Sequence, residues 1–361
     1  MKKLIALLLA SMMALFCLTG CSRGSKDTVM SINGSEVSWD EFMYWLGYAA
    51  NSYGQNYSSL YGSEIDYTDS ENTDLIIKYA KDAAVEQHVI AAKAAEMDVT
   101  VDEDEVNDVV KNYITNYCGE DATEEDFAEL LKESYATVDV FKGMIRSNLL
   151  YNALINKMYG ENGAEVSDEK VQSFAKENDY ITATHILLLT TDDEGNELSA
   201  KAKAKLEKQA QGFVDELRAI KDDNKRLERF NELKAEYCQD GGKESFPDGY
   251  CFTTGTMVEA FDTAARDLDK YEVSDVVASD YGYHVIMRLP LTGDDLCTVN
   301  SYPTPLRTVI AEQLFTEQFD QWVKDAKTEY VGQFKKYDFS KLFTEEGFNY
   351  MSFEEFSSAK G

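Results

Sequence analysis

The sequence predicts an α+β fold class: a helical body into which one small domain of strands and helices is inserted. Three observations predict it. Apolar residues recur at spacings of three and four through most of the first half of the chain, the period of an amphipathic helix. Between residues 180 and 289 the texture changes, and short runs rich in Ile, Leu, Val and Thr alternate with helical stretches, the mixture of a compact α+β domain. Past Pro303 and Pro305 one more helical pattern returns. A length of 361 residues suits two or three domains.

The elements follow in order. Residues 28–37 alternate around Asn33-Gly34, a turn pair that predicts a short hairpin. Ser38-Trp39-Asp40-Glu41 reads as a capping box opening a helix with Phe42, Trp45, Leu46 and Ala49 on its inner face. Tyr53, Tyr57, Tyr61 and Tyr67 then fall among Ser, Gly and Asn, reading either as half-buried loop aromatics or as an adaptable binding surface. A strong helix pattern over 75–97 is closed by an acidic run over 98–105, which caps another helix through Val106, Val109 and Val110. Further helices are expected over 124–133, over 138–158 with Phe141, Ile145 and Leu149, and from Ser167 to about Lys176. Residues 180–189 read as a strand, and Ser199 opens a long helix with Leu206, Ala210, Phe213, Leu217 and Ile220. A second helix carries Leu227, Phe230, Leu233 and Tyr237; a glycine loop, a strand over 250–253, a helix over 257–268 and a strand over 283–289 complete the domain. The last helix presents Leu306, Ile310, Leu314, Phe319 and Trp322 on one face and needs a partner surface, expected on the N-terminal helices.

The ends and the composition bound the setting. Met1-Lys2-Lys3 precedes an apolar run of about 15 residues, short of the roughly 20 needed to span a bilayer, so it reads as a secretory signal. Leu18-Thr19-Gly20-Cys21 resembles a bacterial lipobox, which implies removal of residues 1–20 and a diacylglyceryl group on Cys21, with 21–27 as a lipidated tether. The formal charge is −31; such a surface repels phosphate backbones and excludes nucleic acid as a partner. It also repels anionic lipid, so the membrane tie is expected from acyl chains. Cys118, Cys238, Cys251 and Cys297 form neither a disulfide framework nor a C-x-x-C pair; free thiols are expected, with a Cys238–Cys251 bridge left open. No compact set of metal ligands stands out, and no metal or cofactor is expected.

Chemistry concentrates on two of the three histidines. His88 lies mid-helix and reads as structural or solvent-facing, whereas His185 and His284 stand in strand patterns at opposite ends of one domain. The pieces Thr184-His185-Ile-Leu, Tyr237-Cys-Gln-Asp240, Phe252-x-x-Gly255-Thr-Met257-x-x-x-Phe261 and Ser279-Asp-Tyr-Gly282-Tyr-His284-Val-Ile together resemble a parvulin domain over 180–290. The resemblance implies a small antiparallel sheet surrounded by helices. It implies paired histidines, His185 and His284, at the floor of the site. Asp240 would face a twisting amide, Ser279 would bond the histidine network, and Phe252, Met257 and Phe261 would line a proline pocket. The activity implied is peptidyl-prolyl cis-trans isomerisation, whose barrier of roughly 18–20 kcal/mol comes from amide resonance. An apolar cage that excludes water favours the twisted amide, and no bond is cleaved.

Around that domain the chain resembles the PrsA and SurA type of foldase. The resemblance rests on Ile32-Asn33-Gly34, the Ala94-x-x-Met97-x-Val-Thr-Val-Asp-Glu pattern and the final helix. It implies a helical chaperone domain over 28–176 and a C-terminal helical segment over 300–345 that packs on it. The implied clients are unfolded exported proteins with X-Pro bonds, at the extracytoplasmic face of the cell membrane. Two departures stand out. The family's Gly-Gly-Asp-Leu-Gly segment is replaced by the loop from Gly241 to Tyr250, with Gly249 where an apolar residue walls the proline pocket. Asp192, Asp193 and Glu194 stand where phosphate-directed parvulins carry basic residues, which implies a preference for unphosphorylated X-Pro. A holdase with a weak parvulin is the rival expectation. A solute-capturing lipoprotein is opposed by the lack of alternating parallel β-α units.

Overall fold

The computed structural model describes residues 27–358, so the signal and lipid-site expectations at Cys21 lie outside the described residues. The described chain packs as two compact units. One runs up to Lys157 and resumes at Thr316; the other is Met158–Phe315.

In the first unit, β1 (Thr28–Ile32) and β2 (Ser35–Ser38) form the expected hairpin, with Ile32 opposite Ser35. Asn33 and Gly34 both have positive φ, 52° and 88°, the conformation a two-residue hairpin turn requires and Asn-Gly supplies. Helices α1 (Trp39–Tyr61), α2 (Ser70–Glu96), α3 (Glu103–Cys118), α4 (Glu124–Lys132) and α5 (Val138–Tyr159) follow, the last two residues of α5 falling in the second unit. Asp69, Asp102 and Thr123 cap α2, α3 and α4 by accepting backbone N–H bonds, satisfying donors the first turn leaves open.

Three sequence expectations change here. Ser38 accepts from Glu41 N–H, but the reciprocal half of a capping box is not made. The Glu41 carboxylate instead meets His88 Nε2 at 3.0 Å, while His88 Nδ1 lies 2.9 Å from Ser35 Oγ. His88 thus ties α2 to β2 and α1. Most of the tyrosine stretch is not a loop, because α1 continues through Tyr53, Tyr57 and Tyr61, with the Tyr57 and Tyr61 rings 4.7 Å apart and tilted at 46°; Tyr67 lies in the turn beyond it. The chain after α10 (Leu306–Asp325) also does more than supply a helix. A strand at Thr328–Tyr330 pairs antiparallel with β1, and Phe334, Phe339 and Phe356 close around buried Trp39 and Phe42. In the part of α10 belonging to this unit, Phe319 meets Tyr151 edge-on at 5.8 Å and Lys93 Nζ lies 5.5 Å from the Trp322 ring centroid.

The second unit holds α6 (Asp168–Glu177), β3 (Ile181–Leu189), α7 (Ala200–Ala219), α8 (Asp223–Tyr237), β4 (Tyr250–Phe252), α9 (Glu259–Asp267), β5 (Val277–Ala278), β6 (Gly282–Leu289), β7 (Leu296–Val299) and β8 (Tyr302–Pro305). Its six-stranded sheet has the order β5-β6-β3-β4-β7-β8. Every pairing is antiparallel except β4 with β7, joined in parallel at Cys251 and Cys297. The sheet is therefore mixed at one join. Strands β7 and β8 escaped the sequence reading because Pro303 and Pro305 argue against a strand; β8 tolerates them as an edge strand.

Strand alternation divides the two faces of the sheet. Ile186, Leu188, Val285 and Met287 point into a core with Ala210, Phe213, Val214 and Leu217 of α7 and Phe230 and Leu233 of α8. Ile181, Ala183 and Ile286 point the other way, against Phe252, Phe261 and Ala265. That second face carries the site. Cys118, Cys238, Cys251 and Cys297 are free thiols, so the Cys238–Cys251 bridge left open by the sequence is not formed.

Candidate active site

Strand register brings the two histidines together. In the β3–β6 ladder His185 lies opposite Ile286 and Leu187 opposite His284, so the imidazoles project from the same face on neighbouring strands. Their ring centroids are 5.3 Å apart at 75°, and Phe261 of α9 stands nearly perpendicular to both, at 5.2 and 5.6 Å. Both histidines are buried, with 8% and 4% exposure. Ser279, just past β5, places Oγ 2.7 Å from His284 Nε2.

Asp240 is delivered by the segment that follows α8. Cys238 Sγ accepts from Leu187 N–H, Gln239 N–H donates to the Leu187 carbonyl at 2.9 Å, and Gln239 Oε1 accepts from Leu189 N–H. This strip fixes the chain along β3 and sets Asp240 Oδ2 3.5 Å from His185 Nε2. That is an electrostatic contact, not a hydrogen bond. Both ring nitrogens of His185 and Nδ1 of His284 are buried without a hydrogen-bond partner. Buried polar atoms are nearly always paired, and exceptions ask for a reason; here three of them sit on two neighbouring rings whose centroids are 5.3 Å apart.

Burial holds both imidazoles in the neutral form. His185 is pushed below its ordinary value by desolvation, opposed by Asp240 and reinforced by His284 and Lys234. Desolvation lowers His284 from 6.5 to about 4, again opposed by Asp240. Lys234, itself buried, donates from Nζ to Thr184 Oγ1 at 3.1 Å and to the Pro247 carbonyl at 2.8 Å. It pins the departed loop beneath the site, and desolvation depresses its ammonium.

The apolar part is layered. Phe252 and Phe261 are almost wholly buried, while Met257 and Tyr250 are partly exposed and pack against them. Gly249 holds φ +113°, and a Cβ there would lie 2.7 Å from the Ala183 carbonyl oxygen; β4 passes too close to β3 for a side chain at this position. The ring that does reach the site belongs to the next residue. Tyr250 Oη donates to Asp240 Oδ2 at 2.5 Å, and its ring lies parallel to His185 at 5.8 Å. Sequence reasoning brought His185, Asp240, Ser279 and His284 into one cluster but missed Tyr250 and Lys234. The aromatic directly after Gly249 was the available signal for Tyr250. The arrangement offers neutral imidazoles, one carboxylate and hydroxyl donors beside an apolar shelf. It is suited to holding a polar carbonyl next to a ring. Among the described residues no cluster of His, Cys, Asp and Glu could hold a metal ion.

Comparison with known proteins places this geometry. Residues 185–289 match the PPIC-type PPIase domain family and residues 1–155 the SurA-like N-terminal domain family. The domain that bears the site is thus a parvulin-type rotamase domain. The chain is PrsA/SurA-like, with a SurA-like N-terminal region followed by that domain. It is 29% identical over 248 residues to the foldase protein PrsA of Halalkalibacterium halodurans, covering 66% of each chain. It is 32% identical over 213 residues to foldase protein PrsA 1 of Listeria monocytogenes, covering 58% of this chain and 60% of that one. The match thus spans about two thirds or less of these relatives. Against foldase protein PrsA 2 of Listeria innocua it extends to 331 residues at 28% identity, 90% of this chain and 89% of that one. The crystal structure of PrsA from Bacillus subtilis aligns over 69% of this chain and 82% of its own, at 22% identity and a TM-score of 0.28.

Proposed function

We propose that this chain is a peptidyl-prolyl cis-trans isomerase and foldase that acts on unfolded exported proteins carrying X-Pro bonds. The observation that carries the reading is the convergence of His185, His284, Asp240 and Ser279 on one apolar face. The proline ring rests against Met257 over the buried pair Phe252 and Phe261, and its amide carbonyl points toward the imidazoles. Exclusion of water favours the twisted amide, which carries less charge on its oxygen than the planar one. The field of Asp240 beside two neutral imidazoles acts on the amide electrostatically; no covalent bond to Asp240 is formed.

In this reading the unit that runs up to Lys157 and resumes at Thr316 forms the chaperone part, and the unit Met158–Phe315, which takes in α6 and strands β7 and β8, forms the isomerase part. Residues 1–20 are a signal, and Cys21 carries the lipid that ties the chain to the outer face of the cell membrane. Refolding of a protein limited by a cis prolyl bond, tens to hundreds of seconds when uncatalysed, tests the activity: the slow phase shortens with the parent and not with His185→Ala. Incorporation of labelled fatty acid in the parent but not in Cys21→Ala tests the anchor.

The altered loop from Gly241 to Gly249 and the half-exposed aromatics of α1 favour a second reading, a holdase with little catalysis. Suppression of client aggregation by a folded chain that leaves prolyl isomerisation unaccelerated would establish it.

A further inference from the structure

We propose that Tyr250 is a working residue of this site: its hydroxyl holds Asp240 away from an ion pair with His185, and its ring forms a wall of the proline-binding surface. Oδ2 of Asp240 is contested. It accepts from Tyr250 Oη at 2.5 Å and stands 3.5 Å from His185 Nε2, so the phenol takes the hydrogen bond and the imidazole is left with a looser electrostatic contact. The other carboxylate oxygen is engaged as well, accepting from Gly242 N–H at 3.2 Å. Asp240 is therefore oriented by the loop and by β4 rather than by the histidine it faces.

The chain is shaped around this contact. A Cβ on Gly242 would lie 2.2 Å from Tyr250 Oη, so any larger residue there displaces the hydroxyl. Phe246 stacks on the far side of the Tyr250 ring, 4.5 Å away at 27°, which fixes the ring parallel to His185. Register puts Tyr250 opposite Ala183 and Phe252 opposite Ile181, on the face that carries His185, Phe261 and Met257. The ring is thus positioned as a rigid apolar surface against the same buried cluster that Met257 packs on, at the strand position next to Gly249, which has no side chain to offer. Burial, and then the Asp240 bond, push the phenol above its ordinary range, so it stays a donor.

The groups that face His185 are Asp240 and Lys234 from α8 and its exit, Tyr250 from β4 and His284 from β6; α9 contributes the uncharged Phe261. Removing the phenol hydroxyl frees Oδ2 for the imidazolium. The wall rests on the isomerase reading, whereas the orientation of Asp240 does not, and the test separates them.

Imidazole titration of the full chain by NMR is followed in the parent, in Tyr250→Phe, which keeps the ring, and in Gly242→Ala, which keeps the tyrosine but forces its hydroxyl aside. Circular dichroism verifies folding. The His185 midpoint is expected to rise by about one pH unit in both variants; unchanged midpoints in both overturn the orienting role. In X-Pro peptide exchange, Tyr250→Phe is expected to lower kcat about fivefold or more at unchanged KM, and Tyr250→Ala to raise KM about tenfold, each for the loss of one contact. Parent-like KM in Tyr250→Ala overturns the wall. A parent that does not isomerise peptides removes the isomerase reading and the wall with it, and the titration still decides the orientation of Asp240.

Discussion

Ser279 Oγ lies 2.7 Å from Nε2 of His284 and also accepts the Tyr281 N–H at 3.2 Å. The hydroxyl can donate to a bare Nε2 or accept from Nε2–H, so this contact is coupled to the tautomer of the neutral His284 ring. Ser279→Ala strips the partner from a buried nitrogen. The expected cost is about 1–2 kcal/mol of stability in the second unit, measured by urea unfolding. A shift in the tautomer balance of His284 relative to the parent, read from imidazole ¹⁵N shifts, is expected alongside.

Burial of the histidines makes the second unit sensitive to mild acid. The unfolded chain takes up protons at these positions as pH falls through 6.5, whereas folded His284 resists until about 4 and His185 is lowered by the same cause. Because the unfolded state binds more protons in that window, stability is full above pH 6.5 and declines as pH falls toward about 4. Urea midpoints of the second unit are expected to drop across this range in the parent and to flatten in a His185→Gln, His284→Gln double variant.

Substrate charge is expected to discriminate. Exposed Asp193 and Glu194 sit on a small turn held by Asp192, whose carboxylate accepts from the backbone of Glu194 and Asn196. The turn is fastened beside the site by Thr190 N–H donating to the Tyr281 carbonyl. A phosphoserine-proline peptide is expected to exchange several-fold more slowly than its unmodified form, with the gap narrowing at high salt as screening weakens repulsion. Faster turnover of the phosphorylated peptide contradicts this.

The C-terminal segment is a structural part of the first unit. Phe356 stacks on Trp39 at 4.0 Å, and Trp39 Nε1 donates to the Met351 carbonyl at 2.7 Å. Phe356→Ala is expected to cost about 3 kcal/mol. Trp39, Trp45 and Trp322 all lie in that unit, so tryptophan fluorescence during urea unfolding reports it alone.

Much of this was legible in the sequence, for physical reasons that differ by element. Strand patterns placed both histidines in one small domain and the parvulin resemblance paired them, while helix positions followed from local periodicity and caps such as Ser167 and Ser199. What stayed hidden was non-local. The pairing of Met30 with Tyr330 joins residues far apart in the chain, and no local pattern announces it. Strands β7 and β8 were masked by prolines that an edge position tolerates. The continuation of α1 through Tyr53, Tyr57 and Tyr61 was obscured by Ser, Gly and Asn, whose weak helix propensity is overridden by packing, as where Gly54 abuts the Tyr67 hydroxyl. Tyr250 was missed because its contact with Asp240 depends on how the loop between them closes.

The central claim is that the cluster around His185 and His284 rotates X-Pro bonds. Its most direct test is the cis-to-trans exchange rate of short X-Pro peptides with the chain from Ser22 onward, beside His185→Ala, Asp240→Ala and Phe261→Ala. Acceleration by the parent that falls at least tenfold in the folded variants is the expected result. A folded parent that leaves the exchange at its uncatalysed rate contradicts the claim and moves the function to the helical body.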